Sequence, residues 1–134
     1  MPLFAIDSNI LIYAEGVSDG IRRDIAISVI HDIGPKRILL PAQASGETAK
    51  WLMGKGGFSR AEAVRRVTAW MDQCVPIPVT TAAFRQALGL VQSHAFQLWD
   101  AVICAASAEA RADILLSENM QHGFRQNLVE SLDS

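Results

Sequence analysis

The chain has 134 residues, half of them hydrophobic, with 12 basic and 14 acidic side chains and a formal net charge of -2. That length suits one compact domain whose core needs no disulfide or metal staple. The slight negative charge excludes a protein held on nucleic acid by bulk charge alone, but not one that gathers divalent cations in an acidic pocket. Cys74 and Cys104 show no CxxC or Cys/His spacing and are expected to be reduced and buried. No apolar run approaches the ~20 residues of a membrane span. Asp7 interrupts the first apolar stretch, and no basic segment precedes it, so no signal peptide is expected. These features predict a cytoplasmic protein without membrane association.

Residues 2–6 (PLFAI) read as a short buried strand, where Pro2 is tolerable at the start. Ser8 or Asn9 suits the cap of a helix from about Ile10. Asp19 and Gly20 break the chain. Ile21, Ile25, Val29 and Ile33 then recur at helical spacing over 21–33, and Gly34-Pro35 ends that helix. RILL at 37–40 predicts a second buried strand, and Pro41 suits the first turn of a helix over 42–53. GKGG at 54–57 is a loop. Ser59 with Glu62 is a capping-box pattern that opens a helix to about Asp72. A short strand is predicted at 74–78, and a helix from Thr80 or Thr81 to about Ser93. A nearly all-apolar helix follows over 98–110. DILL at 113–116 predicts a strand ending at Ser117, and a last short strand is expected near 127–132.

Apolar strands without alternation, separated by helices, argue for an α/β fold with a parallel sheet covered on both faces. In such sheets function gathers beyond the carboxyl ends of the strands. Three acids fall there in unsuitable company. Asp7 ends the first strand, Glu47 lies in LLPAQASGETAKWL just after the second, and Asp100 lies in FQLWDAVICAASA at the start of a helix. Each has an ordinary role open to it: helix cap, solvated helix face, or first-turn carboxylate favoured by the helix dipole. Lys50 is one turn from Glu47 and within reach of pairing with it, while the regions around Asp7 and Asp100 lack Lys and Arg. Converging carboxylates without cationic partners repel, so one takes a proton or a cation enters. A hard divalent ion with oxygen ligands, Mg2+ or Mn2+, is the natural guest. In ADILLSENMQHG, Ser117 and Asn119 share a face if the chain is extended. The alternative is Ser117 as the N-cap of a helix whose free N–H groups favour a phosphate.

Taken in order, IDSN, PAQASGE, WDA and LLSENMQHG resemble the PIN-domain family, and specifically the VapC-type toxins of bacterial toxin–antitoxin pairs, over nearly the whole chain. The resemblance implies a three-layer α/β/α sandwich with a central parallel sheet. It implies a Mg2+- or Mn2+-dependent endoribonuclease acting on RNA, a homodimer, and a small cognate antitoxin as partner. Asp7, Glu47 and Asp100 match the family's metal-binding carboxylates. Ser8 and Asn9 match its supporting residues, and Ser117 its hydroxyl position, a ligand or water-positioning group. Relatives often carry a further acid where this chain has Asn119 or His122. Asn119 can still offer a carbonyl oxygen or orient a water, which leaves three carboxylates in place of four.

That departure supports a second reading, a catalytically weak or inactive PIN-fold interaction protein. A phosphatase with an Asp nucleophile also begins with a strand and then Asp, but Asp7-Ser8-Asn9-Ile10 lacks the second Asp of DxDx[TV]. Lys50, Lys55, Arg60, Arg65 and Arg66 suit either substrate grip or a solvated face. Trp51, Trp70 and Trp99 suit either base stacking or packing. The helices over 21–33 and 59–72 are candidates for the dimer or antitoxin surface. His31, His94 and His122 show no metal-ligand spacing.

Overall fold

The computed structural model describes residues 2–16, 20–120 and 123–127, with 118–120 and 123–127 described by backbone alone. In chain order the elements are β1 (Phe4–Ile6), α1 (Ser8–Ala14), α2 (Gly20–Ile33), a 3-10 turn at Pro35–Arg37, β2 (Ile38–Pro41), α3 (Ala42–Met53), α4 (Arg60–Gln73), β3 (Val75–Ile77), α5 (Thr81–His94), α6 (Leu98–Glu109), β4 (Ile114–Met120) and β5 (Gly123–Asn127). The sheet order is β3-β2-β1-β4-β5. β1 pairs in parallel with β2 and β4, β2 pairs in parallel with β3, and β5 joins the β4 edge antiparallel. The helices flank this sheet in the expected α/β/α arrangement.

The strands are apolar throughout because helices cover them. Ile6, Ile38 and Leu40 are fully buried and meet Ile10, Leu11 and Ile103 in the main core. A second cluster joins α5 to α6 through Ala83, Ala87, Ala101 and Ala105 with Leu90 and Val102, small side chains that let two helices approach closely. A third, of Leu52, Ala63 and Val67, holds α4 on α3.

Caps set most of the boundaries. Ser59 Oγ accepts from the N–H of Glu62, and Thr80 Oγ1 from that of Ala83. Gly34, at a φ of 91°, ends α2 in a conformation that suits glycine. α1 starts two residues before the expected Ile10, because Asp7, and not Ser8 or Asn9, is its N-cap.

The helix expected over 21–33 forms as α2. Ile21 is 74% exposed and Ile25 42%, while Ala26 and Ile30 are buried. Each i to i+4 step overshoots a full helical turn by about 40°, so four such residues spiral around the helix instead of forming one face. β4 does not stop at Ser117 but runs on to Met120 as a hairpin arm against β5, so no helix is capped by Ser117. Among the described residues β5 follows β4; the strand expected near 127–132 lies, beyond Asn127, outside the described residues.

Glu15 is a buried acid that its sequence context did not reveal. Its side chain is 8% exposed. It accepts from Trp70 Nε1 at 2.7 Å and from Arg66 at 2.8 Å, which ties the end of α1 to α4. Among the described residues no helix is long and apolar enough to cross a membrane.

Candidate active site

The parallel register Ile6↔Leu116 fixes the first contact. One residue beyond it, Asp7 leaves β1 beside Ser117, which is still within β4. The Asp7 N–H donates to the Leu116 carbonyl at 3.0 Å, and Ser117 Oγ donates to Asp7 Oδ2 at 3.1 Å. Asp7 Oδ1 accepts the Ser8 N–H at 2.6 Å, and the Ser8 hydroxyl lies 3.2 Å away from it. Asp7, Ser8 and Ser117 are all buried. Asp7 therefore caps α1 and stands at the carboxyl edge of the central strand.

Glu47 arrives on α3, which springs from the same edge of the sheet after β2. Ser8 Oγ is 3.2 Å from Glu47 Oε1, the same distance as from Asp7 Oδ1. A hydroxyl carries one proton, so Ser8 donates to one carboxylate at a time and links the two. Burial pushes the Glu47 carboxyl above its ordinary range, and the charges of Asp7 and Asp100 add to that, against hydrogen bonds from Ser8 and Gln43. Asp100, in the first turn of α6, is raised in the same direction by burial and then by Asp7. The three acids thus feel one another through a partly desolvated interior. Among the described residues none is paired with Lys or Arg, and the pairing of Lys50 with Glu47 that one-turn spacing allowed does not form.

Gln43 was missed in the sequence. It lies one turn before Glu47 on the same face of α3, and that spacing was the available signal. Asn119 lies on β4 by its backbone, with its side chain outside the described structure, and His122 lies outside the described residues.

The donor set consists of hard oxygens whose joint charge is uncompensated, and its chemistry fits a hard divalent cation. Among the described residues, however, no three His, Cys, Asp or Glu side chains are gathered into a ready-made metal shell. Of the three acids, Glu47 lines a cleft of about 620 Å³, together with Ser8, Asn9, Lys50, Lys55 and Trp99, among others.

No protein-family model and no curated protein matches this sequence. Solved structures do. The VapC20 toxin of Mycobacterium tuberculosis, described as cleaving the sarcin-ricin loop, superposes with a TM-score of 0.73 over 96% of this chain and 94% of its own, at 16% identity. A toxin–antitoxin complex from Klebsiella pneumoniae gives a TM-score of 0.64 over 87% of each chain, also at 16% identity. Both cover nearly the whole length, as the four motif segments did. The chain has the fold of the VapC-type PIN-domain toxins.

Proposed function

We propose that this protein is the endoribonuclease toxin of a toxin–antitoxin pair and hydrolyses RNA phosphodiester bonds at Asp7, Glu47 and Asp100 with Mg2+ or Mn2+. The observation that carries the reading is the mutual, uncompensated field of three acids at the carboxyl edge of the sheet, two of them bridged by one serine hydroxyl. A fold shared with a sarcin-ricin-loop-cleaving toxin supports RNA as the substrate, and one shared with a toxin–antitoxin complex supports an antitoxin partner. Exposed apolar side chains on α2 (Ile21, Ile25, Ile27) and α4 (Val64, Met71) offer surface for that antitoxin or for a second copy of the chain.

Asp7, Glu47 and Asp100 would hold the ion. Held by these acids, a divalent cation would supply charge neutralisation, a more acidic water and polarisation of a phosphodiester. The protein's own part is to hold the donors. Ser8 and Ser117 fix Asp7, and Ser8 with Gln43 fixes Glu47. Among the described residues Asp100 accepts no hydrogen bond, which leaves its carboxylate open to take the proton of the attacking water. Water oxygen then bonds to phosphorus, the bond to the leaving ribose oxygen breaks, and that oxygen takes a proton from solvent. Ser117 and Asn119 would orient the water or the phosphate.

The competing reading, a PIN-fold interaction protein with a weak or inactive site, draws on Asn119 in place of an acid and on the absence of a gathered three-ligand shell among the described residues. Calorimetric titration of metal-free protein with Mn2+ decides between them. Wild type is expected to bind, and Asp100→Asn to weaken binding by about tenfold or more. No binding by wild type, even with an RNA oligonucleotide present, would give the lead to the interaction protein.

A further inference from the structure

The three tryptophans have different surroundings. Trp70 is half-buried and committed to Glu15. Trp51 is half-buried along the cleft. Trp99 lines the same cleft and is 48% exposed. Phe84 meets its ring edge to face, with centroids 6.4 Å apart and planes at 62°, which restrains the indole without covering it. Across the cleft lie Glu47 and Ser8 of the acidic site, and Lys50 and Lys55, neither of which is ion-paired among the described residues. Asn9 and Gln43 add amides that both donate and accept.

An exposed aromatic ring and two cations beside Glu47 in one cleft match a ligand with a flat face and an anionic flank. We propose that the cleft is the subsite for one unpaired base of a single-stranded RNA, stacked on Trp99, with its flanking phosphates held by Lys50 and Lys55. Its ligand class rests on the ribonuclease reading above. A duplex stacks its bases on one another and offers no free face to the indole, so the subsite selects single strands, loops or ends.

The test needs neither metal nor cleavage. Fluorescein-labelled hexamers of uridylate and adenylate are titrated into wild type, Trp99→Ala, Trp99→Phe and the Lys50→Ala/Lys55→Ala double variant, in EDTA at low salt, and binding is followed by anisotropy. Trp99→Ala is expected to weaken binding about tenfold, with Trp99→Phe retaining most of the affinity. The lysine variant is expected to bind more weakly and with a shallower salt dependence. An unlabelled RNA duplex is expected to compete poorly. RNA-dependent quenching of intrinsic tryptophan emission in wild type, lost in Trp99→Phe, gives a second readout from a conservative, foldable variant. Equal affinity of wild type and Trp99→Ala, or no hexamer binding by wild type, would overturn the subsite and leave this face to a protein partner. The two readings fail separately. Mn2+ binding together with RNA binding that does not depend on Trp99 removes the base subsite alone, and Trp99-dependent RNA binding without Mn2+ binding removes the nuclease.

Discussion

Ser8 does two jobs with few atoms. Its N–H satisfies the capping carboxylate of Asp7, and its hydroxyl stands equidistant from Asp7 and Glu47. That arrangement holds two repelling groups near each other, and the cost shows in the raised carboxyls of Glu47 and Asp100. The sign for stability follows. A raised carboxyl favours the protonated fold, so its contribution is full below the ordinary values of 4.5 for Glu47 and 3.8 for Asp100 and is lost as pH rises through the raised ones. In EDTA, Asp100→Asn is therefore expected to raise the melting temperature at pH 7 and to flatten the decline on going up from pH 4. Thermal melts across that range measure it, and a lower melting temperature for the variant at pH 7 would contradict an uncompensated field.

Between elements, the Glu15 junction shows how a polar group stabilises packing. α4 is exposed along much of its length, and only Ala63 and Val67 are buried on it. Trp70 and Arg66 fasten it to the end of α1 through Glu15, and Arg66 also lies over the Phe58 ring at 4.5 Å. Trp70→Phe keeps a ring and removes the N–H donor to a buried carboxylate. It is expected to cost about 1.5 kcal/mol, read from denaturant midpoints at unchanged slope. RNA binding should persist in this variant, since Trp70 is committed to the Glu15 junction and does not line the cleft.

For the whole molecule, strand order decides where chemistry can occur. The chain builds outward from β1 to β2 and β3, then returns to place β4 on the other side of β1. The carboxyl ends of β1 and β4 thus flank a topological switch point, where parallel sheets open a crevice. Asp7 and Ser117 stand on its two sides. Burial pushes the thiols of Cys74 and Cys104 up to about 11. Neither is expected to react with an aromatic disulfide reagent at pH 8 until the domain unfolds, so the modification rate should track global opening across denaturant concentrations.

The sequence alone determined the alternation of strands and helices, most of the boundaries and the three anomalous acids. These are local signals: apolar runs, capping residues, Pro and Gly, and charge placed where charge does not belong. The capping box at Ser59 and the cap at Thr80 were legible because a cap is made within four residues. The helical spacing of α2 was equally local, but which side of a helix is buried depends on what the helix meets. Glu15 was beyond local reasoning, and so was the choice between the extended and the helix-capping readings of Ser117. Ser117 lies within β4, and its bond to Asp7 spans 110 residues. Glu15 is tolerated inside because Arg66 and Trp70 come to it from 51 and 55 residues away. Composition supplied three tryptophans with no means of ranking them. Tertiary structure sent one to the Glu15 junction and left another beside the acids with half its surface in water, because exposure belongs to the folded surface and not to the residue.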